Sequence, residues 1–188
     1  IQIDNDECNA SGYKGLVSYF KNRGCSKDKA LYYFNNYDIK YDYLWLIEDD
    51  TFLPNKDIIK NIDNKYKLYD FLSPPLYTVC SLQWYWINVI NEQFELLKLE
   101  YTKYIKLFNY KKYNCKRLYK CMTCCIRLSR NYMITVDEFT TYYNTLFMDE
   151  IFFINISMIN NMFMKSIPEL KYIKYKESIL DDSKINFL

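Results

Sequence analysis

Three consecutive carboxylates, Glu48-Asp49-Asp50, follow directly on the apolar run Tyr43-Leu44-Trp45-Leu46-Ile47 and are the residues of this chain best equipped for chemistry. Adjacent like charges each raise the cost of ionising the others, so such a run persists where a divalent cation, a Lys or Arg, or full solvation balances it. The sequel Thr51-Phe52-Leu53-Pro54 is apolar after Thr51, which weighs against the alternative of a solvated acidic turn after an edge strand. A strand that delivers carboxylates to its C-terminal edge puts them where open α/β sheets bind ligands. Hard cations take oxygen ligands, commonly one or two carboxylates plus substrate phosphates and water, so the run reads as a metal and phosphate site. Asp50 is the first choice as direct ligand. Glu48 lies two residues earlier and so on the same strand face, while Asp49 points to the other face unless the strand has already turned.

A second acidic pair, Asp149-Glu150, stands between Leu146-Phe147-Met148 and Ile151-Phe152-Phe153. That apolar setting raises a carboxyl pKa toward values useful to a general base, for which Glu150 is the better candidate. The other reading is two acids complementing a helix N-terminus. Histidine is absent, which excludes Ser-His and Cys-His nucleophilic pairs and leaves Asp, Glu, Lys, Tyr or a metal-bound water as base. Cys115, Cys121, Cys124 and Cys125 contain one Cys-x-x-Cys spacing but no second well-spaced pair, so free or partly disulfide-bonded thiols are favoured over a zinc knuckle.

The elements that must position these groups are legible in part. Ser26 caps a helix with Asp28 in its first turn and Ala30, Leu31 and Phe34 on one side, ended by Tyr37 to Lys40. A strand over 41–47 follows, then a helix around Asp57–Ile62 and a short strand over 69–72 stopped by Ser73-Pro74-Pro75. A 3-4 spacing of apolar residues predicts a helix over 92–108, the polar stretch 109–121 a loop, and Ser129 the cap of a helix through Tyr143. A last helical pattern runs from Asp149 through Phe163. At the front, 1–6 alternates like a short strand ending in Asp4 and Asp6. Strands alternating with helices in the first half and helices dominating the second argue for an α/β layered architecture.

Composition narrows the classes further. Length suits one domain over 1–188, and no repeat or low-complexity linker marks a boundary. A net charge of +2 sets up no global field for nucleic acid or membrane. The basic stretch from Lys103 to Arg130 is interleaved with tyrosines and could hold a polyanion, but it carries no nucleic-acid motif and reads as a solvated face. The uncharged span 71–91 has the length of a bilayer helix, yet Pro74-Pro75, Gln83, Asn88 and Asn91 argue against a transmembrane segment. Seven cysteines, an odd count, favour either a reducing compartment such as the cytoplasm or a truncated chain; the Golgi or ER lumen stays open if an N-terminal anchor precedes Ile1.

Four blocks, Ser26 to Phe34, Tyr43 to Asp50, Arg127-Leu128-Ser129 and Leu146 to Phe153, resemble in order those of GT-A-fold glycosyltransferases, most closely glycosyltransferase-like proteins of eukaryotes and large DNA viruses. The resemblance spans roughly 26–163 with two long unaligned stretches. It implies an α/β, Rossmann-like mixed sheet flanked by helices; with only about 40 residues ahead of the strand that bears the acidic run, the expectation is either an N-terminally truncated version of it or a reduced, inactive one. It also implies a transferase moving a sugar from a nucleotide-diphosphate donor to a hydroxyl of a glycan, protein or lipid acceptor. Mn²⁺ or Mg²⁺ would be held by Glu48-Asp49-Asp50 against the diphosphate, with Glu48 also able to reach the ribose. Asp4 and Asp6 would touch the nucleoside, Lys29 a phosphate, and Arg127 the diphosphate or simply a nearby acid. Trp84 and Trp86 would stack on an acceptor sugar or sit in the core, and Glu150 with Asp149 would supply the base of an inverting reaction. Two other readings stay open: a catalytically silent domain of this fold binding a glycan or protein, and a different metal-dependent phosphate-handling enzyme such as a nucleotidyltransferase.

Overall fold

The computed structural model describes residues 2–16, 25–53, 55, 57–78, 119–146 and 148–171. Trp84, Trp86, the helix expected over 92–108 and the basic residues from Lys103 to Arg117 lie outside the described residues. Among the described residues six strands and five α-helices follow in this order: α1 (Asn5–Ala10), α2 (Ser26–Asn36), β1 (Tyr43–Ile47), α3 (Ile58–Lys65), β2 (Phe71–Ser73), β3 (Leu76–Thr78), β4 (Tyr119–Cys121), β5 (Cys125–Ser129), α4 (Arg130–Tyr143), α5 (Asp149–Ile159) and β6 (Met164–Ser166), followed by a 3₁₀ turn at Pro168–Leu170.

The main sheet has the order β1-β5-β2-β6. Its β5 is antiparallel to both β1 and β2, and β6 is parallel to β2, so β1, β2 and β6 run one way and β5 the other. Strand pleating then sorts the side chains into two cores. Leu44, Leu46, Phe71, Ile126 and Leu128 join the larger one with Leu31 and Tyr32 of α2, Met133 and Val136 of α4, and Phe152 and Phe153 of α5. Cys125 and Leu72 face the smaller one, built with Ile58, Ile62 and Tyr66 around α3 and with Ile167 and Leu170. The chain is thus a mixed α/β structure whose sheet is flanked by helices. Strands β3 and β4 form a separate antiparallel pair, held to α5 by Asn155, whose amide exchanges hydrogen bonds with the Tyr119 backbone at 3.3 and 2.7 Å. No helix among the described residues is long and apolar enough to cross a membrane.

Several expectations change. The opening residues do not form a strand: the Asp4 carboxylate accepts from the Asp6 and Glu7 amides and starts α1. The cap of α2 is Cys25 rather than Ser26, because the Asp28 carboxylate reaches back to the Cys25 amide at 2.9 Å. The last long helix stops at Ile159, and Asn161, at φ 54°, turns the chain into β6. Tyr119–Cys121, expected at the end of a loop, is a strand. The second half is therefore not purely helical; β4 and β6 are too short to display a period, and β5 is buried on both faces, which removes the alternation that marks a half-exposed strand. By contrast α4 starts as expected, with Ser129 Oγ accepting from the Tyr132 amide at 3.0 Å.

Candidate functional site

Strand β1 ends at Ile47, and the acidic run occupies the turn beyond it. The Glu48 amide makes the last ladder bond, to the Cys124 carbonyl at 2.8 Å, and the Thr51 amide closes on the Glu48 carbonyl at 3.0 Å. Thr51 Oγ1 donates to the Cys124 carbonyl at 3.1 Å and pins the far side. Asp49 and Asp50 are therefore the corners of a four-residue turn, both exposed, rather than successive residues of a strand.

Because β1 and β2 run parallel, their carboxyl ends share one edge of the sheet with the start of β5 and the Met122–Cys124 connection that leads into it. The N-terminus of α2 comes to the same edge and brings Lys27. Its ammonium donates to Glu48 Oε1 at 2.6 Å, to Asp149 Oδ2 at 2.6 Å and to Thr123 Oγ1 at 2.9 Å. A lysine has three N–H donors, and here all three have an acceptor. The Thr123 hydroxyl in turn donates to Asp149 Oδ2 at 2.5 Å. The side chains of Lys27 and Asp149 are 11% and 10% exposed and that of Glu48 is 40% exposed, so the cluster is rooted inside and opens to solvent at Glu48. Burial alone would lower the Lys27 pKa, but Asp149 and Glu48 outweigh it and hold the ammonium above its ordinary range. Burial likewise pushes Glu48 up, and Lys27 more than reverses this, leaving it below the usual value.

The fourth contributor is the start of α5. The Asp149 amide donates to the Leu16 carbonyl at 3.0 Å, and Asp149 Oδ1 accepts from the Glu150 amide at 2.8 Å, so both oxygens of this buried carboxylate are bonded. The Glu150 carboxyl carries no hydrogen bond from a described residue. Its burial, and then the neighbouring Asp149 charge, raise its pKa to about 7. Both acids do stand in the first turn of a helix, where the macrodipole favours negative charge. Behind them Asp28 accepts from the Leu16 and Cys25 amides; burial still lifts its pKa to about 6. The Cys124 thiol sits against Glu48, and burial followed by that carboxylate pushes it up to about 12, far from a reactive thiolate.

The remaining sequence candidates are dispersed. Asp4 and Asp6 are at the exposed start of α1, with Asp4 occupied as its cap. Lys29 lies two residues beyond Lys27, about 200° around the helix, and faces away from the acids. Arg127 is fully buried on the α3 side of the sheet, the side opposite the larger core. It pairs with Asp63 at 3.1 Å, donates to the Tyr66 and Tyr69 carbonyls at 2.7 and 2.8 Å, and stacks 4.0 Å above the Tyr43 ring. This is the nearby-acid alternative for Arg127. Cys8, Cys25, Cys121, Cys124 and Cys125 are free thiols. A shallow groove of about 270 Å³ lies at the other end of the sheet, between Asp42, Lys67, Asp70 and Asn131, and its Asp70 is already bonded to Ser129 and the Phe163 amide.

No family model matches the chain, and neither a curated protein nor a solved structure matches it. The site therefore rests on its own geometry. Among the described residues no three acid or thiol side chains are gathered to hold a metal, since Glu48 turns to Lys27 while Asp49 and Asp50 project into solvent. Two exposed adjacent carboxylates still match what a hard cation asks of a protein when it arrives with phosphate oxygens and water. Sequence reasoning missed Lys27 and Thr123; both surround acids it did name, and either could have been sought as the neutraliser that a carboxylate triplet requires.

Proposed function

We propose that the chain is a GT-A-like glycosyltransferase domain that moves a sugar from a nucleotide-diphosphate donor to a hydroxyl acceptor. The observation that carries this reading is the convergence, at one sheet edge, of the exposed Asp49-Asp50 turn and a carboxyl, Glu150, whose pKa of about 7 suits a base at neutral pH. Two helix N-termini, those of α2 and α5, point their positive ends at the same edge and favour an anionic donor there. Asp50, with Asp49, would hold Mn²⁺ or Mg²⁺, which when bound offsets the charge growing on the departing diphosphate.

The chain's own groups have separable tasks. Asp149, fixed by Lys27, Thr123 and its neighbour's amide, keeps the start of α5 in place and raises the proton affinity of Glu150. Glu150 takes the proton of the acceptor hydroxyl, whose oxygen forms a bond to the anomeric carbon. The bond from that carbon to the diphosphate oxygen breaks, and the nucleoside diphosphate leaves with the electron pair. Attack from the face opposite the leaving group inverts the anomeric centre.

The test is thermal unfolding of the purified chain against nucleoside diphosphates with and without Mn²⁺, since a ligand binding only the native state raises the midpoint. A Mn²⁺-dependent rise with UDP or GDP supports the transferase and names the donor nucleotide. No rise with any of them moves the assignment to a silent glycan- or protein-binding domain, and a rise only with nucleoside triphosphates to a nucleotidyltransferase.

A further inference from the structure

The acidic turn poses an electrostatic problem that the chain solves from within. Glu48 and Asp149 come from the end of β1 and the start of α5, and each places a carboxylate oxygen 2.6 Å from one ammonium. Two carboxylates held this close to a common point, one of them buried, need a cation between them, and either a divalent ion or a protonated Lys or Arg meets that need. Here the point is taken by Lys27, with Thr123 Oγ1 as its third acceptor at 2.9 Å. We infer that Lys27 is the resident cation of this site: it occupies the position between Glu48 and Asp149 that a metal would otherwise take, and so restricts any exchangeable divalent ion to Asp49 and Asp50.

Geometry supports this on three counts. All three ammonium donors are used inside the cluster, so Lys27 has none left for a donor phosphate and works as a positioning residue rather than a catalytic one. Its stem comes from the first turn of a helix whose Leu31 and Tyr32 are buried in the main core, so its point of attachment is fixed, and at 11% exposure the side chain has little open space around it. The Cys124 thiol, also against Glu48, belongs to the residue whose carbonyl anchors the Glu48 amide and the Thr51 hydroxyl, so the turn that presents Asp49 and Asp50 is held from the same side. Lys27 thus ties β1, the connection into β5 and α5 together at a place where the charges of Glu48 and Asp149 would push them apart. The role of Asp49 and Asp50 rests on the transferase reading above; the place of Lys27 does not.

The experiment compares the wild type with Lys27→Ala, Glu48→Gln, Asp50→Asn and the Lys27→Ala/Glu48→Gln double variant, each unfolded thermally in EDTA, in millimolar Mn²⁺ alone, and in Mn²⁺ with UDP or GDP. Lys27→Ala leaves two facing carboxylates uncompensated, so its midpoint in EDTA should fall by about 10 °C. Mn²⁺ should restore at least about half of that fall, a rise larger than any it gives the wild type through Asp49 and Asp50, and one lost again in the double variant. A folded Lys27→Ala chain that answers Mn²⁺ no more than the wild type overturns the inference. So does a Glu48→Gln chain that loses Mn²⁺-dependent nucleotide binding as completely as Asp50→Asn, because Lys27 would then be yielding Glu48 to the metal. Should Lys27→Ala fail to fold, the comparison of Glu48→Gln with Asp50→Asn by Mn²⁺ titration calorimetry decides alone. A wild type with no nucleotide response defeats the transferase reading, while the Mn²⁺ gain of Lys27→Ala still decides the place of Lys27.

Discussion

The Lys27 ammonium lies 2.6 Å from the Asp149 carboxylate although the two residues are 122 positions apart in the chain. One ion pair therefore closes most of the molecule around the sheet edge that carries the acidic turn. Its partner Glu48 is partly exposed and screened by water, so the buried Lys27–Asp149 half carries the larger share of whatever the cluster contributes. The same pair contributes to the electrostatic surroundings of Glu150, which feels the Asp149 charge and, in the opposite sense, those of Lys120 and then Lys27.

Glu150 should make both stability and rate depend on pH. Burial and then Asp149 raise its pKa from 4.5 to about 7, so the folded chain binds this proton more tightly than the unfolded chain. The contribution is fully favourable below about 4.5 and is lost as pH rises through about 7. Glu150→Gln should remove that loss, on the order of 2 kcal/mol at pH 8 after allowing for solvent screening. Urea unfolding at pH 5 and pH 8 measures it, and an identical pH slope in the variant would assign the loss to another group. Transfer by the wild type should rise between pH 6 and pH 8, and in Glu150→Gln it should be slow and flat while donor affinity holds.

Asp50 is exposed at the corner of its turn, so Asp50→Asn should change ligand-free stability by less than about 0.5 kcal/mol. Its effect should appear only with ligand. A nucleotide at 100 times its dissociation constant stabilises the native state by about 2.7 kcal/mol, and the variant should lose nearly all of that in the presence of Mn²⁺. Wild-type binding by Asp50→Asn would remove Asp50 from the metal assignment.

How much of this was legible beforehand follows from what each residue signals locally. The run from Tyr43 to Asp50 announces a strand and a charged terminus within eight letters, and Ser129 announces α4, because caps and continuous apolar runs act at short range. Asp28 shows the limit of such signals: its side chain selects Cys25 as the cap by bonding that amide, a choice that depends on Leu16 presenting a second amide to the same carboxylate. Lys27 and Lys29 are indistinguishable by composition, and only the rotation of α2 against the sheet turns the first toward Glu48. The three-residue strands β4 and β6 gain their identity from partners elsewhere, Leu76 to Thr78 and Phe71 to Ser73, so nothing in their own letters reveals them. Asp149 and Glu150 were readable as unusual acids, but that Asp149 is the one locked in place depends on Lys27 and Thr123.

Arg127 offers the sharpest separation of structure from function. Its guanidinium is fully buried, pairs with Asp63 and closes the end of α3 through the Tyr66 and Tyr69 carbonyls. Arg127→Met would leave Asp63, which also accepts from the Trp45 indole at 3.1 Å, and both carbonyls without their cation, at a cost of about 3–5 kcal/mol. Arg127→Lys keeps the charge but cannot span all three acceptors, so an intermediate loss is expected by urea unfolding. Strand alternation puts Arg127 on the α3 side of the sheet, while Lys27, Glu48 and Asp149 meet on the other. Folded Arg127→Lys should therefore bind nucleotide with Mn²⁺ as the wild type does. An affinity loss of tenfold or more, with an unfolding midpoint that hardly moves, would put Arg127 on the diphosphate and contradict its structural role.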